Sequence, residues 1–108
     1  MLCTSDGRVL AGRVIVADSM FARLRGLLGY RLMPEDTALV LQPCDQVHMF
    51  FMRFAIGVIF LDDAGKVVFK QRLRPWQVSK KISKAGSVVE TAPEILEQVG
   101  IGEILNII

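Results

Sequence analysis

Between Val47 and Ile56 the chain reads Val47-His48-Met49-Phe50-Phe51-Met52-Arg53-Phe54-Ala55-Ile56. Three of the six Phe, two of the five Met and the single His fall within these ten positions. A run that is apolar on both faces needs cover on both faces, so the rest of the fold is expected to wrap it. Two polar side chains interrupt it. A buried imidazole needs a hydrogen-bond partner, and a guanidinium cannot shed its charge. His48 and Arg53 therefore have to find partners or open onto a wet pocket.

The flanking sequence predicts mostly strands. Arg8 to Val16 reads as a strand with Gly12 as a bulge, preceded by a turn at Ser5-Asp6-Gly7. Asp18 or Ser19 can cap a helix whose apolar side carries Met20, Leu24, Leu27 and Leu28, and Gly29 suits its end. Arg23, Arg25 and Arg31 read as a solvated helix face. After a turn at Met33-Pro34-Glu35-Asp36, Thr37 to Gln42 is a short apolar strand stopped by Pro43. The central run extends through a strand from Ile56 to Leu61. Asp62-Asp63-Ala64-Gly65 then forms a hairpin turn, because Gly65 supplies the positive φ that a tight turn needs.

Lys66 to Leu73 pairs back as the return strand, with polar side chains on one face. Arg74-Pro75-Trp76 breaks it, and Lys80 to Gly86 is a basic loop. Ser87 to Thr91 is a strand carrying Glu90. Pro93 opens a helix with Ile95, Leu96 and Val99 on its apolar side, ended by Gly100. Gly102 to Ile107 is a last strand. The expected fold class is mainly β (α+β), a small and mostly antiparallel barrel with two short helices on its rim.

The 108 residues make one domain, and 52% hydrophobic residues are ample for one core. A net charge of +2 is too slight to imply a nucleic-acid partner, and the aromatics sit in the core pattern rather than where bases could stack on them. Two cysteines, Cys3 and Cys44, allow no dense disulfide framework. Met1 to Asp6 lacks a basic region followed by a long apolar run, so no signal peptide is expected and the cytoplasm is the default location, with export the alternative if a leader has been removed. No apolar stretch is long enough for a transmembrane helix.

Each candidate site residue has a plain structural reading beside a functional one. His48 among Phe and Met is expected to stay neutral, either as a structural histidine bonded to a carbonyl or as a pocket-lining donor and acceptor. Glu90, in an apolar strand, is the natural internal partner of Arg53; alternatively His48, Arg53 and Glu90 surround one polar pocket. Cys44 with His48 could make a thiolate–imidazole pair, and Cys44, Asp45 and His48 could ligate a metal. The chain, however, owns only three Cys and His side chains, fewer than a structural zinc site wants. Trp76 reads as a packed aromatic lid, and Asp62 as a possible accessory group beside the pocket. No cofactor or metal is expected.

Arg25-Gly26-Leu27-Leu28-Gly29, the Val47–Ile56 block, Val58-Ile59-Phe60-Leu61-Asp62, Pro75-Trp76 and Val89-Glu90 occur together and in this order. In that, the chain resembles the domain-of-unknown-function family numbered one hundred and ninety-two, from about Val14 to Ile107. The resemblance implies a compact β-rich domain with no accepted activity. Many members are exported behind a leader, which implies a role and a partner near the cell envelope. One position departs from the family. Where its members usually carry an acidic residue, this chain has Gly57, so either a carboxylate of a shared site is gone or Gly57 marks a strand bend. The turn at Ala92-Pro93-Glu94 also lacks the family's usual glycine.

Three functions remain open on these residues. The first is a domain binding a small polar or anionic molecule, with His48, Arg53 and Glu90 lining the pocket and Cys44, Asp62 and Trp76 as accessory groups. The second is a hydrolase or transferase in which His48 is the general base and Arg53 steadies negative charge. The third is an interaction module that pairs through a strand edge.

Overall fold

The computed structural model describes residues 1–19, 22–23, 27 and 30–108. The described residues form eight strands: β1 Leu2–Thr4, β2 Val9–Ala11, β3 Arg13–Ala17, β4 Thr37–Leu41, β5 Ile56–Leu61, β6 Val67–Leu73, β7 Ser87–Thr91 and β8 Leu105–Ile107. They form two sheets, in the orders β2-β1-β8 and β3-β4-β7-β5-β6. The described residues close no barrel, which corrects the architecture expected from the strand count. The reason lies at Gly12. The expected single strand from Arg8 to Val16 breaks there into β2 and β3, which belong to different sheets. The Gly12 N–H donates to Asp36 Oδ1 at 2.7 Å, and a Cβ at this position would sit 2.6 Å from Asp36 Oδ2. Only a residue without a side chain lets the carboxylate hold the crossing this closely.

β3 and β4 pair in parallel, with Arg13 opposite Thr37 and Ala17 opposite Leu41. Parallel neighbours need a long crossover, usually helical. Residues 18–36 supply it. Ala22, Arg23 and Leu27 are helical, and the Ser19 side chain caps them by accepting from the Ala22 N–H at 3.1 Å. Met20, Leu24, Arg25, Leu28 and Gly29 lie outside the described residues. The expected pair of short helices is corrected: the one helical element whose bounds lie among the described residues is a 3-10 helix, Pro93–Gln98, with Pro at its start as the sequence predicts.

β7 is the centre of the larger sheet, held between β4 and β5, and β5 is buried along its whole length. The hairpin β5–β6 forms at Asp62–Gly65 as expected; Gly65 has φ 82°, and Asp62 Oδ1 accepts from the Ala64 and Lys66 N–H groups at 2.9 Å each. Strand periodicity sends Val88 and Glu90 to one face of the sheet and Val89 and Thr91 to the other. The Thr91 face lies under the 3-10 helix. A Cβ on Gly57, opposite Thr91, would meet Leu96 Cγ at 2.8 Å. Gly57 is therefore required by close packing, not by a bend. The Glu90 face lies under Arg23 and the loop around Met49. The Val47–Ala55 run is no strand. It is a loop tied down by one antiparallel bridge, His48 to Val78; Val47, Met49, Met52 and Phe54 are buried, but Phe50, Phe51 and Arg53 are exposed, so the run is not wrapped on both faces as expected. No helix of the described residues is long and apolar enough to cross a membrane.

Candidate functional site

Glu90 does need a cationic partner, and the partner is Arg23, not Arg53. Arg23 Nε donates to both carboxylate oxygens, at 2.8 Å and 3.0 Å, with Arg23 only 1% and Glu90 0% exposed. Arg23 Nη1 donates to the His48 carbonyl at 2.9 Å, and Nη2 to the Met49 sulfur at 3.2 Å. One guanidinium thus fastens the crossover, the central strand and the covering loop together. Burial pushes the Glu90 carboxyl up from its ordinary value, against the pull of Arg23. A guanidinium this deep cannot lose its proton, so protonating Glu90 would strand a buried charge. The pair is sealed from any ligand. The expectation of a solvated Arg23 is corrected by its contacts. Positions 20, 23, 24 and 27 stand at helical spacing, which puts Arg23 on the apolar stripe, and that spacing was the signal for it.

His48 joins this cluster through its carbonyl, not through its ring. The half-buried imidazole stacks on Phe50 (centroids 4.7 Å apart), and Nδ1 accepts a long bond from the Phe50 N–H at 3.4 Å. Burial, then the Arg23 charge, lowers its pKa below 6.5, which keeps the ring neutral at pH 7 as expected. Phe50, Phe51 and Trp76 continue from it as a cluster, with Trp76 centred 5.9 Å from Phe50 and 5.1 Å from Phe51. Trp76 is no packed lid, being 59% exposed, and Phe51 is 69% exposed. Both adopt left-handed backbone, φ 69° and 67°. For a bulky L-residue that conformation costs roughly 1–3 kcal/mol, so the surroundings must enforce it. They do so by hydrogen bonds: Met52 donates to the Met49 carbonyl at 3.2 Å across Phe51, Gln77 donates to the Arg74 carbonyl at 3.1 Å across Trp76, and Trp76 donates to the Met49 carbonyl at 2.8 Å.

The accessory residues separate. Cys44 Sγ donates to the Gln46 carbonyl at 3.1 Å, and burial raises its pKa, so it is a thiol rather than a thiolate at neutral pH. Asp62 is occupied with the hairpin turn. Among the described residues no group of three or more His, Cys, Asp and Glu could hold a metal ion.

Arg53 is exposed and lines a different place. A cleft of about 340 Å³ opens where β6 and β7 end and β4 and β5 begin, with Arg31, Arg53, Arg72, Glu35 and Glu94 at its polar surface. Buried Met33 and Phe54 contribute its apolar part. None of the three guanidiniums makes an ion pair among the described residues. His48 and Glu90 do not line this cleft. Arg31 and Arg72 escape sequence reasoning, because a polar position on a helix or strand face looks like any solvated one until the chain ends of several elements converge.

Comparison with known proteins gives a consistent family and fold. The family DUF192, described as uncharacterised, matches residues 1–106. A UPF0127 protein of Thermococcus sibiricus is 37% identical over 101 residues, covering 86% of this chain and 63% of that protein. This chain thus spans less than two thirds of that relative. The UPF0127 protein PF1050 of Pyrococcus furiosus is 30% identical over 106 residues, covering 94% of this chain and 90% of its own. A crystal structure of a protein of unknown function from Novosphingobium aromaticivorans superposes with a TM-score of 0.79 at 12% identity, covering 98% of this chain and 81% of that one. At such identity the likeness concerns the fold alone.

Proposed function

The chain belongs to the DUF192 family, and we propose that it binds a small anionic molecule in the cleft of Arg31, Arg53 and Arg72. One observation carries this reading: three guanidiniums converge on one concavity with no carboxylate bonded to any of them among the described residues. Like charges gathered this way repel, and an incoming carboxylate or phosphate relieves the repulsion while accepting forked hydrogen bonds. Glu35 and Glu94 leave the lining with a single net positive charge. They accept hydrogen bonds only, so they favour an anion that also bears a hydroxyl or amino group. Met33 and Phe54 offer contact to its carbon skeleton.

His48 as a general base has less support, since its ring is stacked on Phe50 and lies away from the cleft lining. The test is a thermal-shift screen of phosphate, sulfate, hydroxy acids and sugar phosphates on the wild type and Arg53→Ala. Arg53 is exposed, so the variant folds. Binding raises the melting temperature of the wild type and leaves the variant unmoved. No stabilisation by any anion, or equal stabilisation of both proteins, would remove the reading.

A further inference from the structure

The aromatic cluster at His48, Phe50, Phe51 and Trp76 has no part in the arginine cleft and stands on separate observations. Natural folds hide large aromatic rings, and scattered exposed ones need no comment; a contiguous group does. Phe50, Phe51, Trp76 and Val78 are all exposed, and they sit on two loops zipped together by the Met49–Gln77 and Trp76–Met49 hydrogen bonds and the His48–Val78 bridge. Two of the four hold left-handed backbone that would suit Gly or Asn better, so the fold maintains the display at a cost in strain.

The two stretches that carry the cluster, Gln46 to Leu61 and Ala64 to Val89, hold no Asp or Glu. Of their cations, Arg53 and Arg72 line the cleft and Lys70 is held by the Leu96 and Val99 carbonyls, whereas Arg74 and Lys80 flank Trp76 and Val78 in the chain. Arg74 opens the turn that carries Trp76, its N–H bonded to Gln77 Oε1 at 2.9 Å. Lys80 follows Val78 by two residues, with its ammonium 5.9 Å from the Phe69 ring centroid. The nearest carboxylate in sequence, Asp45, faces Lys81 at 4.0 Å.

We propose that this knob seats the domain on an anionic lipid surface, with Phe51 and Trp76 entering the interfacial layer and Arg74 and Lys80 against the headgroup phosphates. Rings of amphipathic or apolar character settle at the boundary between headgroups and acyl chains, and neighbouring cations add attraction to anionic lipid. A protein partner would need a carboxylate rim matched to this one. A bilayer supplies negative charge at any orientation, so it needs no matched rim.

Trp76 is the only tryptophan, so its fluorescence reports on the knob alone. The full chain is titrated with vesicles of phosphatidylcholine, with and without phosphatidylglycerol. The proposal expects a blue shift and protection from iodide quenching with phosphatidylglycerol, less with phosphatidylcholine alone, and partial loss in high salt as the cationic part is screened. Phe51→Asn, whose new residue suits the left-handed backbone, keeps the fold and loses most of the shift. Arg74→Glu weakens it, and Arg53→Ala leaves it in place, which separates this site from the cleft. No shift and no co-flotation with either vesicle would overturn the proposal. So would a shift unchanged in Phe51→Asn, or one that grows with protein concentration without lipid, because a second copy then covers the knob.

Discussion

Arg23 and Glu90, 67 residues apart in sequence, meet at 2.8 Å in the interior and together connect the crossover to the middle strand of the larger sheet. A buried ion pair is poor evidence of net stability, because desolvation consumes much of the attraction. Its loss by halves is another matter. Arg23→Met leaves a carboxylate without its cation, and Glu90→Gln leaves the guanidinium without its anion. Each is expected to cost about 3–5 kcal/mol, seen as a lower urea midpoint. The joint replacement Arg23→Met with Glu90→Leu is expected to recover most of that loss. Additive losses in the double variant would mean that the two side chains do not depend on each other.

Strain at Phe51 makes a prediction of the opposite sign. Phe51→Asn removes a ring that is mostly in water and relieves a left-handed φ of 67°. Stability is expected to rise by about 0.5–1 kcal/mol in chemical denaturation. A loss of that size would show that the ring packs more than it strains.

For His48 the sign follows from a pKa depressed below 6.5 by burial and by Arg23. The unfolded chain then takes up the proton at higher pH than the folded one. The contribution is complete above about pH 6.5 and is lost as the pH falls through the window below it. The stability difference between wild type and His48→Gln is therefore expected to shrink from pH 7 to pH 5. Other titrating groups cancel in that difference. A difference that is flat, or that grows on acidification, would place the imidazole in water.

Gly57 has a steric explanation, since a side chain there would run into Leu96 Cγ at 2.8 Å. Restoring an acidic residue, Gly57→Asp, is expected to destabilise by about 1–3 kcal/mol, with part regained in Leu96→Ala. An unchanged melting temperature for Gly57→Asp would reopen the question of a lost carboxylate.

How much of this was legible in the sequence differs from feature to feature. The hairpin at Asp62–Gly65 and the strands on either side were readable, because turn chemistry and alternation are local. The need of Glu90 for a cation was readable too, from one carboxylate in an apolar strand. The identity of the cation was not, since Arg53 sits in the greasiest stretch and Arg23 in an ordinary-looking helix. Local hydrophobicity pointed to the wrong arginine; helical spacing pointed to the right one. The barrel was inferred from strand count, which carries no information about the parallel pairing of β3 with β4. That pairing is flanked by a contact between Gly12 and Asp36, 24 residues apart. Arg31, Arg53 and Arg72 come together only through the meeting of four strand ends, which no local pattern records.

The anion cleft is tested most directly by nitrogen-15 NMR of the arginine Nε–H groups during titration with inorganic phosphate and a sugar phosphate. Saturable shifts are expected at Arg31, Arg53 and Arg72, with Arg23 unmoved in its buried pair. Shifts confined to other arginines, or none up to millimolar ligand, would contradict it.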